Sequence, residues 1–424
     1  MRASAACVLL ALGALALGAC GGLDANAMPF RIGILTDCYG AFNGVHDAAV
    51  ASAEIPLLAR HGRLRGDTPA AGVEGATAAG RPVELIQGCA TGDDELLLEA
   101  RRLVEEEHAD VVIGPLFPQG GLVLRQYARL RPETTFVIQP SDAPELTLTD
   151  PAPNVFRFVA DAAQGAAGLG SYAYRILGWR TAETIGDDVP YGWATASGFV
   201  AEFCALGGKV AQPKWVLGAD PAPLAARIPS SVDGVFLGTA LAPAAGFLRR
   251  YAARRGDLRM HVVASATVLA DPEVGGLAKG VVVANNLPFQ SPAETAYVAA
   301  FKRDFPRLPA KKDALNSLAF PYRDGVEAAL EALGRTGGKG GRSLQAALAR
   351  LELDSPSGRI HLDRNHQAVV PIYLGQVDAA GRVRTIEVKP RVEQTFGGYF
   401  KAHDPPATET TSKCVKHKPP AWAR

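Results

Sequence analysis

Carboxylate, hydroxyl and aromatic side chains recur in short loops that follow apolar runs of this chain. The candidate ligand-contacting residues are Asp37, Tyr39, Phe42, Phe117, Gln119, Ser141, Asp142, Asp188, Tyr191, Thr239 and Thr267. We expect these loops to end strands or to begin helices, and the free N–H groups of a helix N-terminus favour a carboxylate. The sequence therefore predicts a site for a small organic molecule that carries a carboxylate group.

The stretch Ala109–Gly121, with the sequence ADVVIGPLFPQGG, shows how such a loop is positioned. Val111–Ile113 is a continuous β-branched run, which is typical of a strand buried on both faces of a parallel sheet. The preceding segment Asp93–His108 has apolar residues three or four positions apart, as an amphipathic helix has. Ligands of open α/β sheets bind beyond the carboxyl ends of such strands. The helix, strand and glycine turn form half of a βαβ unit, and the rest of the chain repeats this pattern.

The whole chain has the length and composition of a two-domain globular protein. Its 424 residues exceed what one core usually holds, and 48% of them are apolar. The 44 basic and 43 acidic residues leave a formal charge of +1, which argues against nucleic acid as a partner. Two series of βα units precede a helical block over Ala293–Leu351 and a β region over Arg359–Glu387. Since the chain has no nucleophile elbow, dinucleotide fingerprint or zinc-ligand spacing, we expect no enzyme activity, metal or cofactor.

The first twenty residues are typical of an exported lipoprotein. Arg2 precedes the apolar stretch Ala5–Ala16, and small residues then lead to Cys20 in the sequence LGAC. Residues 1–19 are a predicted signal peptide, Cys20 resembles the acylated cysteine of a bacterial lipobox, and residues 20–29 would be a tether. We therefore expect an extracytoplasmic protein anchored to the membrane by lipid. A transmembrane anchor or an ordinary signal peptide is the alternative, although the apolar stretch is short for a bilayer span.

Export changes the interpretation of four cysteines, because thiols tend to pair outside the cytoplasm. Cys38, Cys89, Cys204 and Cys414 allow three connectivities. Cys38 and Cys89 each follow a predicted strand, and neighbouring parallel strands place their trailing loops side by side. We therefore predict one disulfide between Cys38 and Cys89 and a second between Cys204 and Cys414. Free buried thiols are the alternative.

Several motifs in a fixed order resemble those of one family. They are RIGILTD from residue 31, VVIGP at Val111–Pro115, QPSDAPELT at Gln139–Thr147, VFRF at Val155–Phe158, Asp-x-x-Tyr-Gly at Asp188–Gly192 and the late segment SPSGRIHLDRNHQAVVPIYLGQV. From about Arg31 to Val377 the chain is similar to type I periplasmic substrate-binding proteins of ABC transporters, in the branched-chain amino-acid (leucine/isoleucine/valine-binding) group. The resemblance implies an α/β fold of two Rossmann-like lobes, with parallel sheets flanked by helices. Three crossovers would join the lobes, which would close on a solute in the cleft between them.

The resemblance also implies a domain division and a set of partners. Lobe 1 would comprise residues 30–152 and 287–354, lobe 2 residues 153–286 and 355–392, and a C-terminal tail residues 393–424. The crossovers would lie near Pro151–Val155, Ala284–Pro288 and Leu353–Gly358. The expected partners are a small-molecule solute, the permease subunits of an ABC importer and the membrane through the lipid anchor, and the protein would be a monomer. A ligand-sensing module for a separate signalling protein is the alternative, because it uses the same fold.

A cleft between two such lobes would be lined by strand-end loops from both. These loops are Thr36–Phe42, Leu116–Gly121, Ser141–Ala143, Asp187–Trp193, Gly238–Leu241 and Ser265–Thr267. In the amino-acid binders of the family, the loops that match Leu116–Gly121 and Ser141–Ala143 supply hydroxyl and backbone donors to the ligand carboxylate. The tyrosine that matches Tyr191 lines lobe 2.

This chain departs from the family pattern at three loops. Phe117–Gln119 replaces the usual hydroxyl residues, Gly238–Ala240 replaces an aromatic residue, and Ser265–Thr267 lacks the acidic residue that often holds the α-amine. The acidic residues that could hold the amine instead are Asp37, Asp142, Asp187 and Asp188. Otherwise the ligand lacks an α-amine. The aromatic residues that would then suit a flatter or aromatic carboxylate are Tyr39, Phe42, Phe117, Tyr191 and Trp193.

Several of these residues also have a purely structural interpretation. Asp187 and Asp188 could cap the helix that follows Tyr191, as aspartates often do. Phe117 and Tyr39 could pack against each other at the lobe surface. The lysine-rich C-terminal tail is most simply a solvated end.

Overall fold

The computed structural model describes residues 28–39, 43–308, 317–404, 408–410 and 412–424. The predicted signal peptide, Cys20 with most of the tether, and Phe42 lie outside these ranges. The described chain is a mixed α/β protein with two large sheets flanked by helices, which confirms the predicted fold class. No helix within the described ranges is long and apolar enough to cross a membrane.

The helices and strands have the following bounds. The strands are β1 (Phe30–Thr36), β2 (Arg63–Leu64), β3 (Val73–Glu74), β4 (Thr77–Ala78), β5 (Arg81–Cys89), β6 (Val111–Ile113), β7 (Thr135–Val137), β8 (Val155–Phe156), β9 (Thr181–Asp187), β10 (Lys209–Val210), β11 (Lys214–Val216), β12 (Gly234–Gly238), β13 (Val262–Ser265), β14 (Val282–Asn285), β15 (Glu352–Ser355), β16 (Gly358–Leu362), β17 (Ala368–Val377) and β18 (Val383–Val392). The α-helices are α1 (Asn43–Leu58), α2 (Asp93–Arg101), α3 (Pro118–Arg129), α4 (Glu145–Leu148), α5 (Leu169–Arg175), α6 (Pro190–Ala205), α7 (Ala245–Arg255), α8 (Pro292–Asp304), α9 (Phe320–Arg335) and α10 (Gly341–Leu348).

The first sheet has the strand order β4-β5-β1-β6-β7-β8 and is parallel except for the short edge pair β4–β5. β1 and β6 occupy its centre because they are apolar along their length, and all three residues of β6 are buried. Ile32 of β1 lies opposite Val111 of β6. Residues Gly62–Gly80 form the β2–β3 ribbon and the edge strand β4. This parallel order brings the ends of β1, β6 and β7 to one edge of the sheet.

The second sheet has the order β10-β9-β12-β13-β14-β17-β16-β15, with β11 also on β9 and β18 on β17. The strands from β9 to β14 are parallel, whereas β17 runs antiparallel to β14. The segment Lys209–Val216 contains two short strands, β10 and β11, that both pair with β9. Pro213 explains the interruption, because proline has no backbone N–H to continue a ladder. The ends of β9, β12 and β13 lie at one edge and carry the second set of candidate loops.

The segments expected to cross between the lobes contain paired strands and an isolated bridge. β8 pairs with β7, so the first sheet extends through Phe156, beyond residue 152. Arg157 then forms an isolated parallel bridge with Gln367, which precedes β17 of the second sheet. The segment Leu353–Gly358 contains most of β15 and the turn into β16, and these strands form an antiparallel hairpin.

Two helices differ in extent from the sequence prediction. The helix expected over Asp93–His108 is α2 followed by a π-helical turn at Arg102–Glu106. The candidate loop Asp187–Trp193 is largely helical, because α6 already begins at Pro190. Proline is favoured in the first helical turn, where its missing N–H has no intrahelical partner to lose. Tyr191 therefore lies in the first turn of a helix.

The C-terminal tail is attached to α5 and α6, as the predicted Cys204–Cys414 disulfide requires, while its lysine side chains are exposed. A disulfide joins Cys414 to Cys204 of α6, with a Cα–Cα distance of 5.3 Å. Ser412 Oγ lies 2.8 Å from Ser197 Oγ, and the indole N–H of Trp422 donates to the carboxylate of Glu202. These buried polar and covalent contacts hold the tail, and its lysine content alone does not reveal them.

Candidate ligand-binding site

Asp37 and Tyr39 follow β1 and are held by a disulfide. Cys38 is bonded to Cys89, at the end of β5, with a Cα–Cα distance of 5.7 Å. The hydroxyl of Thr91 donates to the carbonyl oxygen of Tyr39 at 3.0 Å. Asp37 is buried, and this burial raises the pKa of its carboxyl group to about 6. Tyr39 is exposed, so of these two residues only Asp37 lies in a desolvated position.

The loops after β6 and β7 pack against each other at the same edge. The backbone N–H of Ser141 donates to the carbonyl oxygen of Pro115 at 3.2 Å. The Ser141 hydroxyl donates to the carbonyl oxygen of Pro118 at 3.3 Å. Gly121 lies so close to Ser141 that a Cβ atom there would overlap the hydroxyl, which explains the glycine in α3. Phe117 is half-buried at the start of α3. Gln119 is exposed.

Asp142 is half-buried in the loop after β7, next to the fully buried Arg157. The pKa of Asp142 is raised to about 7, mainly by burial and to a smaller extent by the nearby carboxylate of Asp161. The Arg157 guanidinium acts in the opposite direction and lowers the pKa of Asp142. Asp142 is therefore a carboxyl group that changes charge near neutral pH.

A network of hydroxyl groups lies at the corresponding edge of the second sheet. The phenol oxygen of Tyr191 is 2.8 Å from Ser265 Oγ and 3.1 Å from Thr267 Oγ1. Thr267 Oγ1 also donates to the carbonyl oxygen of Thr239 at 2.8 Å. Thr239 is fully buried, and its own Oγ1 has no hydrogen-bond partner among the described residues. Burial raises the pKa of Tyr191, so the phenol stays protonated and can donate a hydrogen bond.

Asp187 and Asp188 have structural partners in this structure. The carboxylate of the buried Asp187 accepts from three backbone N–H groups, those of Ala240, Leu241 and Ala242, at 2.6, 2.8 and 3.0 Å. Asp188 Oδ1 accepts from the indole N–H of Trp193 at 2.9 Å. Neither carboxylate caps α6, which begins after Val189 without a side-chain cap. Asp187 therefore fixes the loop that follows β12, and Asp188 fixes the orientation of the Trp193 indole ring.

One electrostatic interaction links residues of the two edges. The charge of Asp142, at the edge of the first sheet, raises the pKa of Tyr191 at the edge of the second. Of the predicted residues, the structure thus brings together Asp142 with Tyr191, Thr239 and Thr267. Arg157 was not among the candidates, and Ser265 was named only as the first residue of the candidate loop Ser265–Thr267. The arginine inside the otherwise apolar motif VFRF was the available signal for Arg157, because a buried arginine needs partners.

The sequence as a whole matches one protein family. The profile of the family described as "Periplasmic binding protein" matches residues 29–382, which is most of the chain. The chain belongs to this family. The type I periplasmic binding protein predicted from the sequence motifs is therefore confirmed. A comparison with curated proteins finds no match.

Solved structures of periplasmic binding proteins share the fold at low sequence identity. An ABC transporter substrate-binding protein from Sphaerobacter thermophilus has a TM-score of 0.74 and 21% identity, covering 86% of this chain and 99% of its own. A solute-binding protein from Rhodopseudomonas palustris BisB5, in complex with 3,4-dihydroxybenzoic acid, has a TM-score of 0.70 and 23% identity, covering 86% and 98%. The leucine-binding protein LivK from Thermotoga maritima has a TM-score of 0.66 and 18% identity, covering 84% and 98%. At these identities the similarity establishes the two-lobe fold.

Proposed function

We propose that this periplasmic binding protein is the solute-binding component of an ABC importer and that its cleft captures a small amino acid. One observation carries the choice of solute. Asp37 and Asp142 lie at the same edge of the first sheet, and neither forms an ion pair with a lysine or arginine in the described part of the chain. The site therefore offers two desolvated carboxyl groups that lack a direct ion pair, and the cation that acts on Asp142 is the buried Arg157.

Desolvated carboxylates favour a ligand that brings a positive charge. Burial raises the pKa values of Asp37 and Asp142 to about 6 and about 7, which means that ionisation in the empty site is costly. An ammonium group between them would offset that cost, because an opposite charge nearby favours the ionised carboxylate. These two residues take the place of the acidic residue that Ser265–Thr267 lacks. We assign Asp142 as the main amine contact because Tyr191 faces it across the cleft.

The carboxylate of the amino acid would bind to the hydroxyl groups of the second sheet. Tyr191 can donate to an anion, whereas Thr267 positions it, because the single hydroxyl hydrogen of Thr267 is donated to the carbonyl oxygen of Thr239. The first turn of α6 adds free backbone N–H groups there. Thr239 Oγ1, which has no partner among the described residues, is a further donor for the same group. A solute held in this way contacts both lobes only in the closed state, so it stabilises closure by its differential affinity. The lobe boundaries given above remain part of this proposal.

An aromatic acid without an amine is the second candidate. It is favoured by the Rhodopseudomonas palustris proteins of the same fold that are described in complex with dihydroxybenzoic and p-hydroxybenzoic acid. A carboxylate ligand next to Asp142 would require this residue to be protonated, because two like charges at one site repel each other. The two candidates therefore predict opposite dependences of affinity on pH.

The test begins with a thermal-shift screen of protein stripped of bound solute by unfolding and refolding. The panel contains aliphatic amino acids, aromatic amino acids, and aromatic or aliphatic acids without an amine. A ligand at a hundred times its dissociation constant should add about 2.7 kcal/mol to the free energy of unfolding. Stabilisation by leucine or a related amino acid is the expected result. No stabilisation by any member of the panel would contradict the proposal.

Calorimetric titration of the best solute at pH 5 and pH 8 then distinguishes the two candidates. With a pKa of about 7, Asp142 is only about 1% ionised at pH 5, so an amino acid should bind up to about a hundredfold more weakly there than at pH 8. The Asp142→Asn variant should lose most of this difference. Tighter binding at pH 5 than at pH 8 would favour the acid without an amine.

We also propose that Cys20 carries a lipid anchor. The support is the sequence LGAC at the end of a short apolar stretch that follows Arg2. Expression of the full-length chain in a bacterial host should place the protein in the membrane fraction, and mass spectrometry should find an acylated N-terminal cysteine. The Cys20→Ser variant should appear in the soluble extracytoplasmic fraction. An unmodified N-terminal peptide in the wild-type protein would contradict the anchor.

A further inference from the structure

The loop that carries Asp142 is hydrogen-bonded to the segment Arg157–Ala162, which we call the crossover segment because it runs between the two sheets. The carbonyl oxygens of Ser141 and Ala143 both accept hydrogen bonds from Nη1 of Arg157, at 3.1 and 2.7 Å. The carbonyl oxygen between them, that of Asp142, accepts from the backbone N–H of Ala162 at 3.0 Å. Three consecutive carbonyl groups are therefore bonded to one short crossover segment. Because all three carbonyl oxygens accept hydrogen bonds from the crossover segment, the orientation of the Asp142 loop depends on the position of that segment.

Arg157 is fully buried and also contacts residues from distant parts of the chain. Its Nε donates to Gln367 Oε1 at 2.6 Å, and its Nη2 donates to Thr147 Oγ1 at 3.2 Å. Asp161 Oδ2 lies 3.8 Å from Nη2 and also accepts from Gln394 Nε2 at 2.8 Å. Lysine cannot reproduce these contacts, because they require the planar, forked donor set of a guanidinium. The loop, the crossover and the segment before β17 thus meet at a single side chain.

Arg157 is also the positively charged residue that affects the pKa of Asp142. It lowers the pKa of Asp142, whereas Asp161 from the crossover and Glu145 from the start of α4 both raise it. From the second sheet, the phenol of Tyr191 faces Asp142. The charge on Asp142 therefore depends on groups from three elements, and only Arg157 among them is positive.

We propose that Arg157 is a positioning residue for solute binding, which directs the Asp142 carboxyl group into the cleft and couples it to the crossover between the lobes. This inference rests on the proposed function, because it takes Asp142 as the contact for the ammonium group. It goes further in assigning the control of that contact to a side chain that does not touch the solute. Closure of the lobes and orientation of Asp142 then occur together, since the same guanidinium bonds to both.

The first readout is the titration of Asp142 in the protein without solute. Aspartate labelled with carbon-13 at the side-chain carboxyl gives NMR signals, and the signal missing from Asp142→Asn identifies Asp142. We expect a midpoint near neutral pH in the wild-type protein. Arg157→Gln should raise it by about one unit, because it removes the nearby cation. Asp161→Asn should move the midpoint in the opposite direction, because it removes a nearby anion.

The second readout is the affinity for L-leucine, measured in the wild-type protein and in Asp142→Asn. Arg157→Lys keeps the charge but not the forked contacts, so it should weaken binding roughly tenfold in the wild-type background. Arg157→Lys should have little effect on affinity in the Asp142→Asn background, because the proposed contact between the Asp142 carboxylate and the ammonium group is already lost there. Equal losses in both backgrounds would indicate a general structural role and would overturn the proposal.

The two readouts separate failure of this inference from failure of the proposed function. If L-leucine does not bind but the Asp142 midpoint shifts as expected, the coupling of Arg157 to Asp142 stands and the solute assignment fails. If the midpoint is the same in wild-type protein and Arg157→Gln, the positioning role is wrong, whatever the solute. Circular dichroism checks that each variant is folded. Should the Arg157 variants not fold, an unmoved midpoint in Asp161→Asn overturns the proposal in their place.

Discussion

The phenol oxygen of Tyr191 lies 2.8 Å from Oγ of Ser265, and this contact joins the first turn of α6 to the end of β13. Thr267 extends the contact to the carbonyl oxygen of Thr239, which follows β12. The loops after three neighbouring strands of the second sheet therefore share one hydroxyl network. A solute that binds to Tyr191 would affect the position of all three loops.

Replacement of Tyr191 by phenylalanine should weaken solute binding about tenfold while leaving the fold intact. The change removes one hydroxyl donor but keeps the ring, and loss of such a hydrogen bond costs about 1 kcal/mol or slightly more. Calorimetry on the solute found in the thermal-shift screen measures the effect. Tyr174→Phe is a matched control, because that ring lies on α5 and stacks on Arg180 instead. An unchanged affinity in Tyr191→Phe would remove Tyr191 from the site.

The parallel sheets could be predicted from the sequence because their central strands are short apolar runs. Val111–Ile113 is fully buried between β1 and β7, as an uninterrupted β-branched run indicates. The strand ends then followed from topology alone, so the candidate loops were correctly located at the sheet edges. The start of α6 was less predictable, because Pro190 both ends a loop and begins a helix.

The partners of individual polar residues could not be predicted in the same way. Asp187 bonds to backbone groups more than 50 residues later in the chain, and no local pattern encodes such a contact. The same holds for Arg157, whose acceptors lie in the Ser141–Ala143 loop and at the distant Gln367. Long-range polar contacts depend on the assembled fold, whereas strand burial depends mainly on local composition.

Glu54 should make the stability of the protein decrease as the pH rises. It is fully buried in α1, and both carboxylate oxygens lack a partner among the described residues. Burial raises its pKa from 4.5 to about 8, so the folded state binds this proton more tightly than the unfolded state does. The contribution of Glu54 is therefore complete below pH 4.5 and is lost as the pH rises towards 8. The difference is on the order of 4 kcal/mol.

Urea unfolding of wild-type protein and Glu54→Gln at pH 5 and pH 8 measures this effect. The variant should be the more stable protein at pH 8, and the gap between the two proteins should narrow at pH 5. Glu106→Gln is a suitable control, because Glu106 is an exposed acid in the π-helical turn after α2. Parallel pH profiles for wild-type protein and Glu54→Gln would show that Glu54 is not buried without a partner.

Removal of the Cys204–Cys414 disulfide should lower stability but not solute affinity. The bond closes a loop with a sequence separation of 210 residues, and loss of such a native cross-link typically costs about 2–5 kcal/mol. Contacts such as that between Ser412 and Ser197 remain, so the tail should stay docked at low temperature. We expect a lower melting temperature and faster proteolysis near Cys414 in Cys204→Ala/Cys414→Ala. A loss of affinity in the folded variant would show that the tail contributes to the site.

Replacement of Asp187 by asparagine should destabilise the protein and weaken solute binding only indirectly. The carboxylate accepts three backbone N–H groups from the loop after β12, and an asparagine amide nitrogen cannot accept any of them. Unfolding in urea should show a loss of about 2 kcal/mol, because buried donors are left without acceptors. Solute affinity should fall by less than it does in Asp142→Asn. The loop after β12, which this change would release, carries Thr239 but not Asp142, the proposed contact for the amine. Asp188→Asn is the matched control and should change stability less, because Asp188 accepts a single bond from Trp193. If Asp187→Asn keeps full stability but loses solute binding, Asp187 is itself a ligand contact and the assignment of Asp142 must be revised.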